Sequence, residues 1–278
     1  MLMRFVSGFI GIPLLIVLVF TKNGLPFILA VGVLSLIGLY EFYTSARKVG
    51  IKPQEWAGVV SVLLFILTAT NKLNIESFVL KGISTLFIIA TLTFELLRKD
   101  RAPIKNLGAT YLSVVYVGWL FSYLVAIRGI NGTFHINAIP QGIPTGAWLV
   151  LFVIFAAWAA DTGAYLVGRK WGNHKLAPNL SPGKTWEGMW AGLASSVLIS
   201  ILMGAGLDIP LIHRFILGMA IGISSLVGDL VESSVKREVG IKDFGSILPG
   251  HGGILDRFDG LFFAAPMFYY YTTLILKF

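Results

Sequence analysis

Nine mostly apolar stretches, separated by short polar connections, run along the chain: 5–20, 26–44, 56–70, 77–97, 106–127, 146–168, 187–206, 211–232 and 255–276. A helix needs about 20 such residues to cross a bilayer. The first and third stretches are short, and the last opens on Asp256, Arg257 and Asp259. The pattern predicts an all-α, polytopic integral membrane protein with about nine transmembrane helices. The opening "MLMRFVSGFIGIPLLIVLVF" has one Arg before its apolar run, as a signal peptide would. No small-x-small cleavage site follows it and more spans do, so it reads as a retained first helix.

Composition supports lipid as the solvent. The 278 residues are 56% hydrophobic and only 13% charged, against roughly 25% charged in an ordinary soluble domain. Cysteine is absent, which excludes disulfides, thiolate metal sites and a thiol nucleophile. The net charge of +8 fits anionic headgroups and the positive-inside rule better than nucleic acid. Placing the N-terminus in the cytoplasm puts 16 of the 22 Lys and Arg residues on the inner side. That predicts nine spans with the N-terminus inside and the C-terminus outside.

Chemistry divides the chain unevenly. Residues 1–145 carry short basic loops and few intramembrane charges, as a scaffold of helices with possible dimer contacts would. Residues 146–278 carry the unusual side chains and form the expected catalytic region. Ionisable groups inside spans are costly and mark functional sites by default. Asp161 lies within the sixth stretch, beside Thr162 and Gly163. In the eighth, Asp229, Glu232, Ser233 and Lys236 recur at intervals of three and four, so they share a helical face. Asp256 and Asp259 are one turn apart at the start of the ninth. Converging carboxylates stay ionised when a cation neutralises them. Oxygen ligands without Cys favour Mg2+ over zinc. A salt-bridge network that locks helices together, with no metal, is the alternative.

Two inner loops suggest what such a cation serves. "GRKWGNHKLAPNLSPGKTWEG", Gly168–Gly188, sets Ser181, Lys184 and Thr185 beside a helix start, which suits a phosphate. It is no P-loop, because Pro178 stands where that pattern needs its first glycine. "SSVKREVGIKDFGSILPGHGGILDRFD", Ser233–Asp259, holds four carboxylates, four Lys or Arg residues and five glycines. Carboxylates that hold Mg2+ among Lys, Arg and Gly are what phosphoryl or nucleotidyl transfer needs.

This last stretch resembles the signature of the phosphatidate cytidylyltransferases, the CDP-diacylglycerol synthases. Ser233, Val235, Lys236, Arg237, Lys242, Asp243, Gly245, Leu248, Pro249, His251, Gly252, Gly253, Ile254, Asp256, Arg257 and Asp259 all fit that signature. The resemblance extends over about residues 155–260, through "SPGKTWEG" and the Asp161 segment. It implies an Mg2+-dependent enzyme, a homodimer, that turns CTP and phosphatidic acid into CDP-diacylglycerol and pyrophosphate. It also implies a second, monovalent cation, K+. The implied setting is the cell inner membrane, with the site facing the cytoplasm.

On this reading Asp229 and Asp256 are the main metal ligands, and Asp161 and Asp259 stand near the ions. Lys184, Ser181 and Thr185 hold CTP phosphates, with Glu187 beside the ions or the substrate. Lys236, Arg237, Lys242 and Arg257 hold the lipid headgroup or the leaving pyrophosphate. His251 belongs to the catalytic segment, and Ser233, Asp243, Gly252 and Gly253 to the substrate-binding one. Three rivals remain: another CTP-using lipid enzyme, such as a polyprenol kinase or a CDP-archaeol synthase; a cation-coupled transporter; and a CDP-alcohol phosphotransferase, whose DGxxAR-type motif is missing.

Overall fold

A computed structural model describes residues 2–21, 23–70, 77–131, 133–134, 143–245 and 252–278. The expected apolar stretches all appear as helices. They are α1 (Leu2–Phe20), α2 (Leu25–Lys48), α3 (Glu55–Ala69), α4 (Ser77–Leu97), α5 (Pro103–Ser113), α6 (Leu120–Arg128), α7 (Thr145–Trp171), α8 (Trp186–Ala205), α9 (Leu211–Glu238) and α10 (Leu255–Tyr270). A π-helical segment, Val114–Trp119, joins α5 to α6, so Pro103–Arg128 is one continuous helix. A second π-helical segment, Tyr271–Ile275, extends α10. Among the described residues, five helices are long and apolar enough to cross a membrane: α2, Pro103–Arg128, α7, α8 and α9. α3 is a shorter apolar helix.

Two small hairpins interrupt the all-helical pattern. β1 (Thr133–Phe134) pairs with β2 (Ile143–Pro144), and β3 (Lys175–Ala177) pairs with β4 (Ser181–Thr185), both antiparallel. The second hairpin lies in the loop that the sequence marks for phosphate. It runs directly into α8, whose first residue is Trp186.

The centre of the bundle is readable from the helix faces. Leu149, Val150, Leu151, Phe152, Val153 and Ile154 of α7 are consecutive and all buried, so this part of the helix is covered around its whole circumference. An apolar helix could face lipid instead, so it is this burial that shows other helices surround it. Phe121, Leu124, Val125 and Ile127 of α6 are buried beside it. α10 completes this core, with Phe262 and Phe268 buried against Phe121 and Phe152. By contrast α4 exposes Leu86, Ile88, Ile89 and Leu92, an apolar outside suited to lipid.

α7, α8 and α9 approach closely through small residues, as membrane helices do when no hydrophobic drive separates protein from lipid. A Cβ on Gly192 of α8 would stand 2.7 Å from the Ala160 carbonyl oxygen of α7. Side-chain contacts tie one end of the bundle together. The C-terminal end of α2, the N-terminal end of α3, the β3–β4 hairpin, the C-terminal end of α9 and the start of α10 all meet there. At the opposite end, Arg128 of α6 donates to the carbonyls of Val19 and Thr21, both at 2.8 Å. The expected inner basic loops thus share one end of the molecule.

Candidate active site

α9 runs toward the polar end and α10 runs back from it, so residues match in antiparallel order. Lys236 meets Asp256, and Ser225 lies against Gly260. Gly228 sits directly on the backbone of Asp259, where any Cβ would collide with the carbonyl. This close crossing brings Asp229, Glu232 and Asp259 together. Each offers a carboxylate oxygen within 4.8 Å of the others.

Positive groups flank the cluster. Lys184 of β4 pairs with Asp229. Lys236 bridges Glu232 Oε2 at 2.7 Å and Asp256 Oδ1 at 2.9 Å. Ser233 Oγ donates to Asp229 Oδ1 at 3.4 Å, and Ser225 Oγ to Asp161 Oδ1 at 3.1 Å. Glu232 Oε1 is buried and has no hydrogen-bond partner among the described residues. Tyr116, in the π-helical segment, packs on Phe262 with ring centroids 4.7 Å apart. Its buried hydroxyl also lacks a hydrogen-bond partner among the described residues. Buried polar atoms are usually satisfied, so two orphaned oxygens beside a carboxylate cluster suit an added cation or its water. Three carboxylates form a hard oxygen donor set, which suits Mg2+.

Beside this cluster a cavity of about 550 Å³ opens between α7, α8, α9 and the β3–β4 hairpin. Asp161 and Asp229 line one part of it, and Ser181, Lys184, Thr185 and Arg169 another. Thr185 caps α8, its hydroxyl oxygen accepting from the Gly188 amide at 3.2 Å. Its proton remains free to donate to a ligand. Lys175 and the glycines 168, 172, 183 and 188 complete a basic, open wall.

Of the residues expected from the sequence, Asp161, Ser181, Lys184, Thr185 and Asp229 meet in this cavity. Asp259 joins Asp229 in the carboxylate cluster, and Ser233 supports it. Asp256 is placed differently. Oδ1 accepts from Lys236, and Oδ2 accepts from the Phe244 and Gly253 amides at 3.0 and 2.9 Å. Oδ2 therefore fastens the loop before α10, and Oδ1 ties the head of α10 to α9. Gly252, at φ +85, provides the left-handed turn this needs. Glu187 bonds the ring of His174 at 2.6 Å and secures the hairpin. Arg237 donates to the Leu180 and Ile241 carbonyls, tying the hairpin tip to α9. Lys242, Asp243 and Arg257 lie exposed at the same end. His251 lies outside the described residues.

Two contributors escaped the sequence reading. The spacing puts Glu232 on the face of Asp229 without singling it out as a metal ligand, and the structure sets it in the carboxylate cluster. Tyr116 gave no signal, because a π-helical insertion in an apolar run has no residue signature.

The phosphatidate cytidylyltransferase of Synechocystis sp. is 36% identical over 98% of this chain and 97% of its own. That of Bacillus subtilis is 29% identical over 98% of this chain and 97% of its own. That of Staphylococcus epidermidis is 36% identical over 92% of this chain and 94% of its own. The cytidylyltransferase family profile matches residues 2–275, nearly the whole chain, and the protein belongs to that family.

Proposed function

We propose that this protein is a phosphatidate cytidylyltransferase. It transfers CMP from CTP to phosphatidic acid, giving CDP-diacylglycerol and pyrophosphate, at the cytoplasmic face of the cell inner membrane. One observation carries the reading: a basic cavity lined by Lys184 and Arg169 opens directly beside the Asp229–Glu232–Asp259 cluster. The names of the relatives supply the nucleotide and the lipid.

A phosphate oxygen of phosphatidate forms the new bond to the α-phosphorus of CTP. The bond from that phosphorus to the α,β-bridging oxygen breaks, and its electrons leave with pyrophosphate. The attacking oxygen is already anionic at neutral pH, so no strong base is required. Positioning and charge neutralisation carry the rate. Lys184, with Lys175 and Arg169, meets the triphosphate, while Ser181 and the Thr185 proton orient it. Asp229, Glu232 and Asp259, with Asp161 close by, would hold Mg2+, which when bound offsets the phosphate charge. The resemblance adds K+ as a second cation and a homodimer as the assembly. The acyl chains stay in lipid, since moving them into water costs about 0.8 kcal/mol per CH₂.

The test is product analysis in detergent micelles with CTP and phosphatidate, with and without Mg2+. Pyrophosphate and CDP-diacylglycerol should appear only with Mg2+. Release of CDP would instead indicate γ-phosphate transfer, as in a polyprenol kinase. No turnover, together with ion flux in liposomes, would indicate a transporter.

A further inference from the structure

Glu41 of α2 is buried, and the reaction proposed above makes no use of it. It lies 213 and 214 residues from its partners in sequence. Its Oε1 accepts from the Ile254 amide at 3.0 Å, and its Oε2 accepts from the Leu255 amide at 3.1 Å. These are the amides of the N-cap residue and the first residue of α10, and the N-cap residue, Ile254, has no polar side chain of its own. The first amides of a helix have no acceptor within it, and a carboxylate there also meets the positive end of the helix dipole. No Lys or Arg pairs with Glu41 among the described residues.

The neighbours on that face of α2 hold the same segment. Gly38 takes Leu255 against its backbone, where a Cβ would lie 3.0 Å from Leu255 Cδ2. Phe42 stacks on Phe244 at 6.1 Å, and Ser45 Oγ donates to the Phe244 carbonyl at 3.4 Å. Positions 38, 41, 42 and 45 form one helical stripe. Gly245 and Gly253 crowd the Glu41 carboxylate so closely that neither has room for a Cβ. The segment so gripped holds Asp256 at its start and Asp259 one turn after Leu255.

We propose that Glu41 is a positioning residue for the active site. Its buried carboxylate seats the amides at the start of α10 and so fixes Asp259 against Asp229 and Glu232. The inference rests on the cytidylyltransferase reading of that site. It gives the N-terminal half a defined part in the chemistry: α2 sets the register of the helix that completes the carboxylate cluster.

The experiment compares the purified full-length wild type with Glu41→Gln and Glu41→Asp in micelles. Two readouts are taken: pyrophosphate release across a Mg2+ titration, and amide hydrogen exchange resolved around residues 252–258. A displacement near 1 Å costs about 100-fold in rate. Glu41→Gln should therefore lower kcat by roughly 10- to 100-fold and raise the half-maximal Mg2+ concentration several-fold, with KM for CTP changed less than about twofold. The amides of Ile254 and Leu255 should exchange about tenfold faster while those of α8 stay unchanged. Glu41→Asp, which keeps the charge, should recover part of the rate.

Wild-type kcat and Mg2+ midpoint in Glu41→Gln would overturn the proposal. So would a loss of rate accompanied by faster exchange in every helix, which marks a general loss of stability. Should Glu41→Gln not be recovered folded, wild-type exchange decides. Protection at 254 and 255 supports the clamp, and exchange as fast as that of exposed loop amides overturns it. A wild type that binds Mg2+ but turns over no CTP fails the functional reading instead, and leaves the exchange result standing.

Discussion

Lys236→Met tests the electrostatics of the site most directly. The Lys236 ammonium lies between Glu232 Oε2 at 2.7 Å and Asp256 Oδ1 at 2.9 Å. The side chains are 11%, 1% and 6% exposed respectively, so water can replace almost none of this pairing. Removing one partner of a buried ion pair leaves an uncompensated charge, at a cost of about 3–5 kcal/mol. Here two carboxylates lose the same cation. The internal control is Arg47 with Glu55, 45% and 52% exposed at 2.6 Å. Pairs so exposed contribute less than about 1 kcal/mol. Methionine keeps the length and apolar stem of lysine, so lost packing does not confuse the comparison. Thermal unfolding of both variants in the same detergent should show Lys236→Met falling well below wild type and Arg47→Met staying near it. Adding Glu232→Gln to Lys236→Met should recover part of the loss, since it removes one of the stranded charges. Equal melting temperatures for the two single variants would refute the reasoning, because the bridge could not then be buried as described.

Asp229→Asn should lower CTP-dependent turnover at least about 100-fold while the protein remains monodisperse by size exclusion, since Asp229 joins the carboxylate cluster to the Lys184 wall of the cavity. Chelation of divalent cations should abolish turnover, and added Mg2+ should restore it, read as pyrophosphate release. Tyr116→Phe removes a buried hydroxyl that has no hydrogen-bond partner among the described residues; the apo protein should be more stable by about 1–3 kcal/mol at most, while turnover falls, and a variant with lower stability would show the hydroxyl to be satisfied. Gly192→Val drives a branched side chain onto the Ala160 carbonyl; it should separate α7 from α8, lower the melting temperature and widen the substrate cavity, measured as a raised KM for CTP.

The helices were legible in the chain because the rule that makes them is local. In lipid a spanning segment must satisfy its own backbone hydrogen bonds, so each apolar run near 20 residues announces a helix without reference to its neighbours. The charged face of α9 was legible for the same reason: positions 229, 232, 233 and 236 share a side whatever packs against it. The partners across that face were not. Asp256 and Asp259 lie one turn apart at the head of α10, and spacing alone gave both to the metal. Only the close crossing at Gly228 decides that Asp259 reaches Asp229 and Glu232, while Asp256 turns to Lys236 and the loop amides.

The bonds from Glu41 to the start of α10 span 213 and 214 residues, and no local periodicity records a contact between a carboxylate and distant backbone amides. The π-helical turn that carries Tyr116 is similarly silent, since its residues suit an ordinary α-helix. Sequence determined which segments form apolar helices and which faces carry charge, because both follow from nearest-neighbour geometry. The tertiary structure decided which charges meet, because that depends on how closely small residues let whole helices approach.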